Sequence, residues 1–228
     1  TDSAAAGTAL ATGNKTSVET IGMDRYGKKK FVSMAELAKK AGMKVGIIST
    51  VNINDATPSA FYGHQPHRKM HKELAQDLLN SGYDFFGGGG IKNADISSQL
   101  KEKGYIVTNT KKDFNRLSVK DKMVYAMCPK LDKDMACRFS IEQDSSEISL
   151  RQLVSKAVDV LDNHNGFFIM AEAGKIDWAN HANDVASAVK DVLALNDAVG
   201  EALKFYKKHP DETLIVVTSD HETGGFAI

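Results

Sequence analysis

The sequence predicts an α/β fold: a three-layer sandwich with a mostly parallel central sheet and helices on both faces. Three observations carry this. Apolar runs of strand length alternate with helical patterns along the chain. Most of those runs are continuously apolar rather than alternating, the pattern of strands covered on both faces. With 228 residues, 42% of them hydrophobic, the chain can bury one sizeable core, and residues 1–228 are read as one domain.

The expected strands, in order, are Lys44–Thr50, Tyr83–Phe86, Tyr105–Thr108, Met123–Met127, Phe167–Glu172 and Leu214–Ser219. Helical spacing marks Met34–Ala41, His67–Asn80, Ser149–Asn163 and Asp184–Lys208. In the last of these, Val185, Val189, Val192, Leu195, Val199 and Leu203 recur every three or four residues as one apolar stripe. Gly42 and Gly82 follow helical runs, where a helix commonly stops. Lys101–Gln143 is rich in charge and weak in pattern. The four glycines Gly87–Gly90 have no Lys-Ser or Lys-Thr after them, so they read as a flexible turn rather than a phosphate loop.

Lys plus Arg equals Asp plus Glu at 29 each. A balanced total argues against nucleic acid as an obligate partner and against electrostatic membrane binding. No apolar run approaches the ~18 residues a membrane helix needs. Cys128 and Cys137 are too few for a disulfide scaffold or a four-Cys zinc site; one bridge and two unpaired thiols both remain open.

In an open α/β sheet, working residues gather beyond the carboxyl ends of the strands. Four segments hold suitable groups. In Thr1–Thr8, Ser3 opens a helix of small residues, and a helix start favours an anion. An ordinary Ser N-cap would look the same. In Asp55-Ala56-Thr57-Pro58, Asp and Thr oxygens suit a hard cation such as magnesium. Arg68 follows, with a planar fork that matches two phosphate oxygens. The same four residues also make a good capped turn.

Glu172 stands directly after an apolar strand, a costly place for a carboxylate unless it is paired or metal-bound. Asp177 and His181 are four apart, so one helical turn aims both the same way, a plausible zinc pair. Asp220 and His221 sit together after the apolar run Leu214–Thr218 and before glycines. Carboxylate with imidazole suits zinc, and oxygen alone suits magnesium. Two metals with a Ser and an Arg are the parts of a phosphoryl-transfer site.

With these residues in view, the sequence resembles the alkaline phosphatase family. Thr1–Gly7 resembles its Asp-Ser-Ala nucleophile segment, continued by Thr12–Thr16 and Ile21–Asp24. Ser49–His64 resembles its Ala-Thr-Pro block, with Arg68 at the matching spacing. Gly166–Asp184 resembles its Glu-Gly-x-x-Ile-Asp-x-x-x-His segment, with Ala173 in place of the first Gly. Val217–His221 matches its Thr-x-Asp-His.

The resemblance implies hydrolysis of small-molecule phosphate monoesters through a phosphoserine on Ser3. Asp2 orients Arg68, which holds phosphate. Asp177 and His181 bind one Zn²⁺. Asp220 and His221 bind a second, which also meets Ser3. Thr57 and Glu172 bind Mg²⁺, with Asp55 behind them. Trp178 lies near the phosphate, where relatives carry Lys, His or Trp. The resemblance further implies an Asp before Thr1 and a His after Ile228 as ligands, so these 228 residues alone are expected to bind metal weakly and turn over little. It also allows a homodimer and a periplasmic or secreted location.

The rival readings are a superfamily phosphodiesterase, phosphomutase or sulfatase, and a non-catalytic folded fragment. Asp2-Ser3-Ala4 with Arg68 favours the monoesterase. A nucleotide-binding domain is excluded by motif, since no Gly-x-Gly-x-x-Gly follows the first strand.

Overall fold

The structure is a computed structural model, and it describes residues 2–224. Thr1, which opens the first motif, and Gly225, which closes the last, lie outside the described residues. Five strands form one sheet: β1 (Lys44–Ser49), β2 (Phe85–Gly88), β3 (Ile106–Thr108), β4 (Val124–Met127) and β5 (Phe167–Glu172). Their order is β3-β4-β2-β1-β5, and every recorded pairing is parallel.

Side chains alternate across this sheet and feed two cores. Val45, Ile47 and Phe86 face one, with Ala4, Ala35, Leu74 and Leu78. Ile48, Phe85 and Val124 face the other, with Leu153, Ala157 and Leu161. The first core is covered by α1 (Ser3–Thr12), α2 (Met34–Lys40), α3 (Ala56–Ser59), α4 (His71–Ser81) and α5 (Ser97–Glu102). The second lies under α6 (Lys111–Arg116), α7 (Leu150–Leu161) and, through Ala198, α9 (Val185–Tyr206). The short α8 (Lys175–His181) follows β5 and packs on α9. The three-layer sandwich expected from the sequence is therefore present.

Helix starts are set by local chemistry. Ser33 caps α2 with Glu36 answering, and Ser149 caps α7 with Gln152 answering; both are complete capping boxes. Their apolar faces then decide the packing, as in α7, where Leu150, Leu153, Val154, Ala157, Val160 and Leu161 are all buried.

Five expectations are corrected. Leu214–Ser219 is not a strand: Leu214, Val216 and Val217 are exposed, and among the described residues no strand lies beyond β5 for the segment to pair with. For the same reason β5, expected to be covered on both faces, is an edge strand and only half-buried. The stripe of α9 faces the core only through Leu195 and the half-buried Val199. Val185, Val189, Val192 and Leu203 are exposed, while the helix buries Ser187, Ala188, Asp191 and Ala198.

The fourth helix begins at His71 rather than His67. The Arg68 amide instead donates to Glu19 O at 2.7 Å, which ties that residue to the loop after α1. Gly87–Gly90 is no flexible turn. All four glycines are buried, and two belong to β2. A Cβ on Gly88 would lie 1.8 Å from Ser49 O, and one on Gly89 would lie 2.2 Å from Val51 O. The run lets two backbones pass in close contact, which only glycine permits.

Candidate active site

The parallel register of β1 and β5 puts Ser49 directly beside Glu172, at the carboxyl ends of both strands. Their side chains meet: the Ser49 hydroxyl donates a short hydrogen bond to the Glu172 carboxylate. The charges of Asp55 and Asp220 press on Glu172. Burial, with those two neighbouring carboxylates, pushes the Glu172 carboxyl up to about 8, although the hydroxyls of Ser49 and Thr57 work the other way. A fully ionised cluster of this kind is costly without a cation.

Close packing of α1 on α3 supplies the second part. Gly7 lies against α3 so tightly that a Cβ there would be 3.3 Å from both Thr57 Cα and Ala60 Cβ. This brings the start of α1 next to the start of α3. Asp2, not Ser3, caps α1, accepting the Ala5 amide at 3.1 Å. It also accepts the Glu19 amide and an Arg68 N–H at 3.4 Å. Desolvation opposes the Asp2 charge, but those amides and Arg68 outweigh it and hold its carboxyl below the usual range. Asp55 caps α3 and takes the other arm of Arg68 at 3.1 Å. The guanidinium is thus gripped on both sides, with its plane fixed.

Freed from capping, the Ser3 hydroxyl lies 2.8 Å from His221 Nε2. His221 Nδ1 faces Glu222 O at 3.1 Å. The Asp220 carboxylate lies 3.3 Å from the same Nε2, so both ring nitrogens of His221 have polar partners. Thr223 Oγ1 sits 3.1 Å from the same Nδ1 and donates to Asp177 Oδ1 at 2.6 Å. Asp177 lies 3.5 Å from His181 Nε2, one helical turn on.

The structure therefore joins ten of the expected residues in two linked groups. One centres on Arg68, held by Asp2 and Asp55, with Glu172 near enough to feel Asp55, Thr57 and Asp220. The other runs Ser3–His221–Thr223–Asp177–His181. Trp178 stands apart: its ring lies over the buried Lys175 ammonium, with 4.5 Å between Nζ and the ring centroid. Ser49 and Thr223 were not singled out in the sequence. Ser49 is a hydroxyl at the end of β1 and Thr223 one in the loop after Asp220-His221, which is weak as a signal until the register and the loop path are known.

The donor set fits divalent cations in kind: two carboxylate–imidazole pairs and one oxygen-only group around Glu172. Among the described residues, no three His, Cys, Asp or Glu side chains converge as a ready metal cage.

A parallel sheet whose strand ends gather a serine, a clamped guanidinium and paired carboxylates and imidazoles defines the class, an α/β protein with an anion-ready polar site at the carboxyl ends of its strands. The alkaline phosphatase family profile matches residues 1–96 and 87–228. Alkaline phosphatase 4 of Bacillus subtilis is 38% identical in an alignment of 240 positions that covers 100% of this chain and 50% of that protein. The repressible alkaline phosphatase of Saccharomyces cerevisiae is 32% identical over 99% of this chain and 46% of its own length. Among solved structures, the cold-active alkaline phosphatase of a psychrophilic Shewanella superposes with a TM-score of 0.88 at 34% identity, covering 98% of this chain and 55% of that one. The alkaline phosphatase of the Antarctic bacterium TAB5 gives 0.86 at 33% identity over 98% and 66%, and one of its variants is described with Mg bound in the M3 site. The chain belongs to the alkaline phosphatase family. It spans about half the length of the curated relatives it matches.

Proposed function

We propose that this chain carries the core of a phosphate monoester hydrolase that works through a phosphoserine on Ser3. The observation that carries the proposal is the pairing of a free Ser3 hydroxyl, facing His221, with a guanidinium locked by Asp2 and Asp55 at the same helix starts. A serine oxygen beside a fixed planar cation is the minimum for attack on a tetrahedral anion.

In this reading the Arg68 fork takes two non-bridging phosphate oxygens and neutralises charge as the phosphoryl group transfers. Asp2 and Asp55 keep that fork from turning. Ser3 Oγ attacks phosphorus, the ester oxygen leaves as an alcohol, and water then cleaves the phosphoserine. The Glu222 carbonyl and Thr223 hold the His221 ring in one orientation.

Asp177 with His181 and Asp220 with His221 would each hold a Zn²⁺, and Glu172 with Thr57 would hold Mg²⁺, with Ser49 and Asp55 supporting that carboxylate. Bound there, the metals would supply Lewis-acid activation of the serine and water oxygens. Small-molecule phosphate monoesters are the proposed substrates, and a homodimer exported to the periplasm or medium is the proposed setting.

The test is phosphate release from a chromogenic aryl monoester and from the matching diester, using the chain extended at both ends, with zinc and magnesium supplied. Monoester turnover should vanish in Ser3→Ala and on chelation. Diester preference would favour the phosphodiesterase reading, and indifference to Ser3 would remove the phosphoserine.

A further inference from the structure

We propose that Cys128 and Cys137 form a disulfide that staples the loop Pro129–Ala136 to the end of β4 and so holds Asp132 against the buried Lys175. The inference does not depend on the catalytic reading.

The two sulfurs lie 2.9 Å apart, both cysteines are buried, and each is a free thiol in the structure. Their backbones are already fixed. The Cys128 amide donates to Gly88 O at 2.7 Å, and the Cys137 amide donates to Thr50 O at 2.9 Å. An antiparallel bridge between Leu131 and Cys137 closes the loop between them. A bond at about 2.05 Å asks the two sulfurs to close by roughly 0.9 Å.

The alternative uses of a cysteine pair are weak here. Among the described residues the two sulfurs have no further His, Cys, Asp or Glu with which to form a metal cage. Neither thiol is exposed for nucleophilic work, and the Cys128 contact together with burial holds the Cys137 thiol well above its ordinary range. A thiol in that state is a poor ligand and a poor nucleophile.

What the loop carries gives the bond a consequence. Asp132 accepts the Asp134 and Ala136 amides and the Lys175 ammonium at 2.8 Å. Met135, with φ at 62°, accepts the Gly90 amide at 2.7 Å. Asp134 pairs with Lys92 at 2.8 Å. Lys175 opens α8, the helix that presents Asp177 and His181. The staple would thus fix the only carboxylate that the buried ammonium contacts in an ion pair among the described residues.

Chemically, one thiolate attacks an external disulfide such as oxidised glutathione, and the second thiol displaces the mixed disulfide. The cysteines lose two electrons and two protons, and the glutathione disulfide leaves as two thiols. Because both thiols are buried in the fold, the bond is expected to form while the chain folds.

The test is to refold the chain in a glutathione redox buffer and alkylate it under denaturing conditions. The expected product is a monomer lighter by two hydrogen atoms that takes no alkyl group until reduced. Its thermal midpoint should fall by about 5–10 °C on reduction, to that of the Cys128→Ser/Cys137→Ser double variant. Two alkylated cysteines after redox equilibration would overturn the proposal, as would disulfide-linked dimers. A bond that forms without moving the midpoint would overturn the staple.

Discussion

Replacing Lys175 with methionine keeps most of the side-chain volume and removes the ammonium. That ammonium is 1% exposed by residue, yet it has one ion pair and two aromatic faces: Asp132 at 2.8 Å, the Phe139 ring at 4.0 Å and the Trp178 ring at 4.5 Å. Each desolvated cation–π contact contributes up to about 2 kcal/mol. The Asp132 pair adds less than a fully buried one, because the Asp132 side chain is 28% exposed and keeps two backbone amides when the lysine goes. The loss should total about 3 kcal/mol. For a chain of this size that corresponds to a fall of about 6–12 °C in thermal midpoint. Calorimetry of the wild-type chain, Lys175→Met, Asp132→Asn and the double variant would measure it, and the two single effects should not add. A Lys175→Met chain as stable as wild type, or strict additivity with Asp132→Asn, would refute the reasoning that this ammonium anchors α8.

Gly88→Ala should cost more than about 4 kcal/mol and yield little folded chain, because the new Cβ meets Ser49 O at 1.8 Å and φ is +119°; denaturant melts against Gly42→Ala, where nothing lies within 4 Å, would check it. Arg68→Lys should lower kcat/KM for a monoester by about 10–100-fold, since a point charge replaces a fork held by two carboxylates. If that variant is as active as wild type, Arg68 does not bind phosphate through two nitrogens. The His64–Glu36 pair should make stability depend on pH. Burial lowers the His64 pKa, but the Glu36 hydrogen bond and charge win and raise it; desolvation likewise opposes a Glu36 carboxyl that His64 and the Ser33 amide pull down. The His64 share of stability is present below its unfolded value of about 6.5 and is lost as pH rises through the raised folded value. The Glu36 share is present above about 4.3 and is lost as pH falls. Urea midpoints should therefore peak near pH 5–6, and Glu36→Gln should flatten that peak.

Much of the frame was readable because it rests on local chemistry. Helical spacing places α2 and α7 within a residue of their starts, and β5 was bounded without error at Phe167 and Glu172. The candidate site residues were readable for a similar reason, since Asp2-Ser3, Asp55-Ala56-Thr57 and Asp220-His221 are compact groups with chemistry of their own. Where the sequence misled, the missing quantity was a neighbour. Leu214–Ser219 and the α9 stripe are apolar in a row, but a strand needs a partner and a stripe needs a face to cover it, and neither property belongs to the segment itself.

The sequence by itself determined the alternating α/β plan, the starts of α2, α7 and α9 within a residue, and the identity of the polar groups, because propensity, capping and hydrophobic period act over a few residues. Only the tertiary structure decided that Asp2 rather than Ser3 caps α1, that Ser49 and Glu172 share a register, that Thr223 bridges His221 and Asp177, and that four glycines are a close backbone crossing. Each of these is a distance between residues far apart in the chain, and such distances are set by how the layers pack.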